Sequence, residues 1–214
     1  MPPDRPIQPP HRGLTGTAAC APATARIADT ASATSAASAT GVDHPIAYLR
    51  LAQISRADLC QLAQGLAPAP LAGRAALAES LPPAFVAARS LAQLNSGTAA
   101  IWCHGYYVLD DRTATIVGSC GFKDGPVDGQ VEIGYGMAPP SRSLGFATAA
   151  IQALIALARE SGGATSVLAQ VNAQNLASSR VVQKLRFEPQ GQKLDHEGEL
   201  LVQWVLRLTD AAMA

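Results

Sequence analysis

The 214-residue sequence lacks an excess of charge of either sign. Its 16 Lys and Arg residues balance 16 Asp and Glu residues, so the formal net charge is zero. Proteins that bind nucleic-acid phosphates usually carry a basic excess. The balance of charge therefore argues against nucleic acid as the main partner, and we expect no nucleic-acid binding.

The sequence also lacks a long apolar run. The strongest one, residues 147–158, is interrupted by Gln152 and is about 12 residues long, well short of the roughly 20 needed to cross a bilayer. No apolar core of a secretory signal follows the first residues. We therefore expect a soluble, cytoplasmic protein without a membrane partner.

Cysteine is scarce and unpaired in sequence. The four cysteines form no C-x-x-C pair, and only Cys103 has a histidine, His104, beside it. Adjacent residues of a strand point to opposite faces, so these two side chains would not bind one ion. We expect buried, reduced thiols and no metal site. The G-x-G-x-x-G fingerprint and the P-loop pattern are absent too, so neither NAD nor ATP is favoured.

Composition divides the chain. Proline marks its start, and residues 17–40 are almost all Ala, Ser and Thr, with too few large apolar side chains to offset the entropy of ordering. We predict a disordered tail over residues 1–41, one folded domain over 42–209 and a short tail over 210–214.

Within the domain, hydrophobic periodicity and turn signals alternate between the two kinds of element. Ser55 is predicted as an N-cap, and Phe85 is predicted to share an apolar helix stripe with Ala88, Leu91 and Leu94. The predicted helices span 56–64, 83–94, 145–160 and 178–185. The predicted strands lie near 46–49 and over 101–109, 113–122, 130–137, 166–171 and 200–208. This order indicates an α/β (α+β) fold, with a mixed central sheet that includes at least one crossover unit and is flanked by helices.

The most informative segment runs from the strand 130–137 into a loop that carries Arg142 and Gly145 and opens a helix. Unpaired N–H groups at a helix start, beside a glycine without a side chain, form a site for phosphate oxygens. The alternative is that Gly145 only permits a turn while Arg142 is solvated. The phosphate interpretation predicts a phosphorylated cofactor.

Three pieces of sequence resemble one family. Arg142-Ser143-Leu144-Gly145-Phe146-Ala147 is similar to the R/Q-x-x-G-x-G/A signature of the GCN5-related N-acetyltransferases (GNAT). The run from Asn175 to Phe187 resembles the family's N-x-x-S segment, most closely in the subgroup that acetylates ribosomal-protein N-termini. Glu132-Ile133-Gly134-Tyr135 fits the preceding strand. The resemblance covers about residues 43–208 and implies a GNAT-like, mostly antiparallel sheet.

The resemblance implies acetyl-CoA as co-substrate, with its pyrophosphate at the amides of 144–147 and its pantetheine arm between splayed strands 130–137 and 166–171. The acetyl group would pass directly to a primary amine without a metal. The implied cofactor-binding residues are Tyr135, Gly136, Met137, Arg142, Ser143, Leu144, Gly145, Phe146, Ala147, Thr148, Asn175 and Ser178.

Two residues are predicted to be catalytic. Strand alternation puts Glu132 on one face with Gly134 and Gly136, where a carboxylate whose pKa is raised by partial burial would act as general base. By the resemblance, Ser178 would lie near the thioester sulfur and protonate the leaving thiolate. The alternatives are an exposed strand carboxylate at Glu132 and simple helix capping by Asn175 and Ser178.

The sequence departs from the family at several positions. Val182 stands where many members carry a tyrosine acid. Arg186 replaces the glycine that usually closes the helix, and Ala149 replaces a common glutamate. These departures leave open a non-catalytic, acyl-CoA-binding regulatory module. A hydrolase that uses Ser143 or Cys103 is disfavoured, because no nucleophile elbow or ordered triad is present.

The resemblance also implies that the acceptor binds in a pocket formed by residues 64–84 and a loop over 189–199. That loop carries Asp195, His196, Glu197 and Glu199, which either attract a cationic amine or form a solvated hairpin tip. A protein N-terminus, an amino acid or polyamine and an amine-bearing antibiotic are all compatible acceptors. A homodimer is the default expectation because dimers are common.

Overall fold

The computed structural model describes residues 48–208 except 70 and 72. The predicted tails over 1–41 and 210–214 lie outside the described residues, as does Ile46 at the start of the first predicted strand. Within the described part, no helix is long and apolar enough to cross a membrane.

The helices and strands follow the predicted order with additions. Among the described residues, the α-helices are α1 (Arg56–Ala63), α2 (Ala84–Asn95), α3 (Ala100–Cys103), α4 (Phe146–Glu160) and α5 (Leu176–Lys184). The strands of the described part are β1 (Leu49–Gln53), β2 (Ala75–Ala76), β3 (Gly105–Asp110), β4 (Thr115–Phe122), β5 (Gln130–Met137), β6 (Ser166–Asn172), β7 (Glu188–Leu194) and β8 (Leu200–Arg207).

Within residues 48–208, the strands form one 8-stranded sheet in the order β1-β3-β4-β5-β6-β8-β7, with the short β2 paired to β4. The β5–β6 and β2–β4 pairs are parallel, and all the other pairs are antiparallel. The prediction of a mixed, mostly antiparallel sheet with flanking helices is confirmed.

The core has two parts because alternate residues of the central strands face opposite sides of the sheet. Tyr106 and Val108 of β3 lie in the same buried cluster as the apolar face of α4. Tyr107 and Leu109 lie in a second cluster, which includes residues of α1 and α2. Helices therefore cover both faces of the sheet.

The sheet opens at its centre. β5 pairs with β6 only from Gln130 to Ile133, whereas β6 stays paired with β8 as far as Asn172. The last four residues of β5, Gly134 to Met137, therefore leave one backbone edge without a strand partner. This confirms the predicted splay between the two strands.

Two predictions of local structure were wrong. Residues 101–103 are helical in α3, and the strand begins only at Gly105. The segment 188–194 is the edge strand β7 rather than a loop, and all of its residues are exposed. β7 was missed because no apolar alternation marks a strand that buries neither face.

The helix boundaries followed the capping signals more closely. Ser55 caps α1 by accepting a hydrogen bond from the Asp58 N–H over 3.0 Å. Arg186, which stands in the place of a glycine, adopts a left-handed φ of 63° after α5. A non-glycine residue is strained in this conformation.

Candidate active site

A groove of about 1140 Å³ begins where β5 parts from β6. β5 lines it with Gly134 to Met137, and β4 lines it with Ser119 to Phe122, followed by Lys123 just after the strand. The loop before α4 and the first turn of α5 contribute one group of lining residues, and α2 contributes another. We call this cavity the groove; it is continuous across these elements.

The loop before α4 is shaped for close approach of a ligand. Gly145 is the N-cap of α4 and has a left-handed φ of 87°, a conformation that glycine adopts without cost. The first N–H groups of α4 have no partner within the helix. Ser143 is also left-handed, with a φ of 62°. The loop therefore directs backbone donors and the positive end of the helix dipole towards the groove.

Arg142 is tied to the same loop. Its Nε donates to the Met137 carbonyl over 3.1 Å, and its guanidinium lies 3.9 Å from the Glu79 carboxylate. Both side chains of this ion pair are more than half exposed. Arg142 thus joins the end of β5 to the start of α4 while its charge stays at the groove.

The start of α5 forms a further part of the lining. Asn175 accepts a hydrogen bond from the Ser178 N–H over 3.0 Å, so it caps the helix as its residue type predicts. Both residues line the groove. Capping therefore fixes the position of Ser178 without excluding a second role for it.

The Tyr135 hydroxyl, on β5, is buried. It makes no hydrogen bond to any described residue, although Ser178 is close enough to influence its ionisation. Burial raises the pKa of Tyr135, and the Ser178 hydroxyl partly opposes this rise. A neutral phenol thus lies on the groove wall.

Glu132 is joined to the groove through a lysine. Its carboxylate accepts a hydrogen bond from Lys123 Nζ over 2.5 Å, and Lys123 and Gly134 line the groove whereas Glu132 does not. The predicted alternation of β5 is present, because Val131, Ile133 and Met137 are buried on the other face. The catalytic role of Glu132 stays a prediction.

The predicted cofactor-binding residues converge on this one groove. Leu144 is 57% exposed and is not among the lining residues. The predicted residues that do line it are Tyr135, Gly136, Met137, Arg142, Ser143, Gly145, Phe146, Ala147, Thr148, Asn175 and Ser178.

Sequence reasoning missed the α2 wall of the groove. Phe85, predicted to belong to the buried stripe, is 69% exposed and lines the groove together with Val86 and Arg89. The buried positions of α2 are instead Ala87, Ser90 and Gln93. Leu91 and Leu94 of the predicted stripe do pack against the second core cluster. The prediction was wrong for Phe85, because polar Ser90 and Gln93 are buried and gave no apolar signal.

The acidic run between β7 and β8 forms a hairpin turn. Asp195 accepts hydrogen bonds from the Glu199 and Glu197 N–H groups at 2.8 and 2.9 Å, and these bonds lower the pKa of Asp195. Of the four residues predicted for an acceptor rim there, only His196 lines the groove. Its side chain is 89% exposed.

His104 has a structural environment. It is the C-cap of α3 rather than a strand residue. Its Nδ1 lies 3.0 Å from the Ile54 carbonyl oxygen. Cys103 is fully buried and hydrogen-bonded to backbone carbonyls, and burial raises the pKa of its thiol. This environment is unsuited to a nucleophile.

Solved structures share this architecture. A Salmonella typhimurium putative acetyltransferase, yncA, described with its cofactor acetyl-CoA, aligns with a TM-score of 0.52 and 18% identity over 78% of this chain and 97% of its own. The ribosomal-protein-S5-alanine acetyltransferase of Vibrio fischeri aligns with a TM-score of 0.56 and 14% identity over 76% and 94%. A chimera of the spermidine N-acetyltransferase SpeG from Vibrio cholerae and hSSAT aligns with a TM-score of 0.54 and 13% identity over 75% of this chain and 96% of its own.

At these identities the likeness shows the shared fold. A comparison with curated proteins gives no match. The family is shown by sequence, because the family model described as "Acetyltransferase (GNAT) domain" matches residues 49–188, more than half of the chain. The chain belongs to the GNAT acetyltransferase family.

Proposed function

We propose that this protein is an N-acetyltransferase that moves an acetyl group from acetyl-CoA directly to a primary amine. The observation that carries the proposal is the free edge of β5 over Gly134 to Met137, in the same groove as the left-handed Gly145 before α4. The open edge offers backbone hydrogen bonds to an extended amide-bearing arm. The helix start offers donors to phosphate.

The residues at the free edge of β5 and those at the start of α4 both fit acetyl-CoA. Amides of residues 144–147 would hold the pyrophosphate, with the cations Arg142 and Lys184 on the same lining. Tyr135, Gly136 and Met137 would contact the pantetheine arm, and Asn175 would hydrogen-bond to it from the α5 side. A β5 backbone N–H would receive the oxyanion that develops on the thioester carbonyl.

In the proposed reaction the neutral amine nitrogen attacks the thioester carbonyl carbon. Its proton passes to Glu132, directly or through water, as the new C–N bond forms. The C–S bond then breaks, and the CoA thiolate takes a proton from Ser178, whose hydroxyl is reprotonated from solvent water. Tyr135 is a second hydroxyl on this wall, and the raised pKa of this phenol keeps it protonated at neutral pH.

The neighbours differ in acceptor, since their descriptions include ribosomal-protein and spermidine acetyltransferases. Both a protein N-terminal amine and a small-molecule amine therefore belong in the proposal. Solubility and a cytoplasmic location also remain proposals, as does a homodimer.

The test is thiol release from acetyl-CoA in the presence of amines, with acetyl-CoA binding measured on the same preparation. The panel contains amino acids, polyamines, aminoglycosides and peptides with free N-termini. Binding with amine-dependent thiol release supports the proposal. Binding without release by any amine would favour the non-catalytic acyl-CoA-binding module, for which the missing tyrosine at Val182 is the supporting observation.

A further inference from the structure

Arg89 is an unpaired cation on the α2 wall of the groove. Its side chain is half-buried, and its Nε is shielded from solvent without a hydrogen-bond partner. Within the described residues, Arg89 forms no ion pair and donates no side-chain hydrogen bond. An unsatisfied buried donor is costly, so it calls for an explanation.

The carboxylates on and around the groove have other partners. Glu79 lies 3.9 Å from Arg142, and Glu132 accepts a bond from Lys123. Asp58 of α1 accepts a bond from the Tyr107 hydroxyl over 3.3 Å. Arg89 is therefore left without a protein anion although it lines a ligand-sized cavity.

α2 holds Arg89 in place. Gln93, one turn later on the same helix, donates to the Lys123 carbonyl over 2.6 Å and also to the Asp124 carboxylate. These bonds fix α2 against the end of β4. Phe85, one turn before Arg89, adds an exposed aromatic ring to the same lining.

Helix α2 lies apart in sequence from the segments that would hold the cofactor. The loop over 142–148 and Lys184 supply the groups suited to CoA phosphates. With acetyl-CoA on that side, α2 is left to contact the acceptor.

We propose that Arg89 binds a carboxylate of the acceptor, so that the substrate is an amine that also carries a carboxylate group. A guanidinium matches a carboxylate through two parallel hydrogen bonds. Phe85 and Val86 would contact an apolar part of the same molecule. This inference rests on the proposed acetyl transfer and specifies its substrate class.

The charge of Arg89 also disfavours a polycationic acceptor. Arg89 lines the groove without a protein anion, and a second ammonium group on the acceptor would meet like charge there. The carboxylate has two sources with one chemistry: the α-carboxylate of a free amino acid, or an acidic side chain next to a peptide N-terminus.

The experiment compares matched acceptors in the thiol-release assay. The first pair is L-phenylalanine and phenethylamine, and the second is L-leucine and isoamylamine; each pair differs by a carboxylate. The dipeptides Ala-Asp and Ala-Asn, both as C-terminal amides, test the peptide source. Arg89→Met removes the guanidinium at similar length, Arg89→Lys keeps a charge, and Arg159→Met, an exposed site on α4, is the matched control.

We expect the carboxylate-bearing acceptor of at least one pair to react with the higher kcat/KM. Arg89→Met should lower the kcat/KM for that acceptor by about 30-fold or more, mainly by raising KM. Arg89→Lys should recover part of the loss. The carboxylate-free amine and the acetyl-CoA Kd should change little. The pair that shows the preference identifies the source.

The proposal would be overturned if Arg89→Met lowered kcat/KM equally for both members of every pair, or if this variant bound acetyl-CoA more weakly. Thiol release that favours the carboxylate-free amines would overturn it while leaving the acetyltransferase function intact. If no amine releases thiol, the proposed function fails. Calorimetric titration of each pair into the CoA-saturated protein then decides the Arg89 site separately, and equal affinities would reject it.

Discussion

Lys123 and Glu132 are bonded twice. The Lys123 backbone N–H donates to the Glu132 carbonyl over 2.8 Å, and its ammonium group donates to the Glu132 carboxylate over 2.5 Å. The main-chain bond joins the end of β4 to β5, and the ion pair links the proposed base to a residue of the groove lining. Lys123 therefore positions the carboxylate next to the groove.

The first prediction concerns Glu132→Gln. The amide keeps the size of the side chain and removes the base, so kcat should fall by about 100-fold or more while the Kd of acetyl-CoA is unchanged. Glu160→Gln, an exposed site at the end of α4, is the control. A kcat equal to that of the native protein from pH 6 to 9 would remove Glu132 from the mechanism.

The second prediction distinguishes the hydroxyl groups of Tyr135 and Ser178 as candidates for the acid that protonates the thiolate. Because the Tyr135 hydroxyl is buried without a partner, Tyr135→Phe should leave the free energy of unfolding unchanged or raise it by about 1 kcal/mol. Ser178→Ala should lower kcat if this hydroxyl protonates the thiolate. The measurements are denaturant unfolding and kcat for both variants. An unchanged kcat in Ser178→Ala would exclude it as the acid, and a fall only in Tyr135→Phe would assign that role to the phenol.

The third prediction concerns the close contact between β4 and β5. A Cβ on Gly118 would lie 2.4 Å from the Gly136 carbonyl oxygen and 2.6 Å from Met137 Sδ. Gly118→Ala should therefore destabilise the protein by about 1–3 kcal/mol through overpacking. Gly136→Ala meets no atom within 4 Å and is the control. Equal unfolding midpoints for the two variants would contradict the strand geometry.

The fourth prediction concerns acid stability. Hydrogen bonds from the Arg112 side chain, at 3.1 and 3.0 Å, hold the pKa of Asp110 below its usual value. The stabilisation is then complete above the unfolded pKa of about 3.9 and is lost as the pH falls through the lower folded pKa.

Asp110→Asn keeps an acceptor for the Arg112 backbone N–H but removes the charge. Its deficit in unfolding free energy relative to the native protein should be constant from pH 7 to about 5 and shrink below about pH 4. Denaturant unfolding at a series of pH values measures this. A deficit that stays the same down to pH 2 would show that the loss is not electrostatic.

The order of the main elements and the left-handed turn before α4 could be predicted because strong local signals mark them. The apolar stripe of α4, for example, includes Ile151, Leu154 and Ile155. Gly145 lies where the backbone needs a left-handed residue. Ser55 and Asn175 are residue types that cap helices, and both of them do so.

Other parts depend on tertiary contacts that leave no local signal. β7 has no buried face, so its sequence resembles a loop. The exposure of Phe85 on α2 was missed because polar Gln93 is buried instead, by bonds to residues 123 and 124, about 30 positions away. Likewise, the partner of Glu132 and the isolation of Arg89 depend on which strands and helices become neighbours.

The most direct test of the central claim is a calorimetric titration of acetyl-CoA into the native protein and into Gly145→Glu. The variant puts bulk and negative charge where the pyrophosphate is proposed to bind. Gly162→Glu is the matched control, because Gly162 is also left-handed, with a φ of 63°, and an added Cβ there meets nothing within 4 Å. We predict one acetyl-CoA per chain for the native protein and Gly162→Glu, and no measurable binding to a folded Gly145→Glu. No binding to the native protein, or equal binding to Gly145→Glu, would contradict the proposed site.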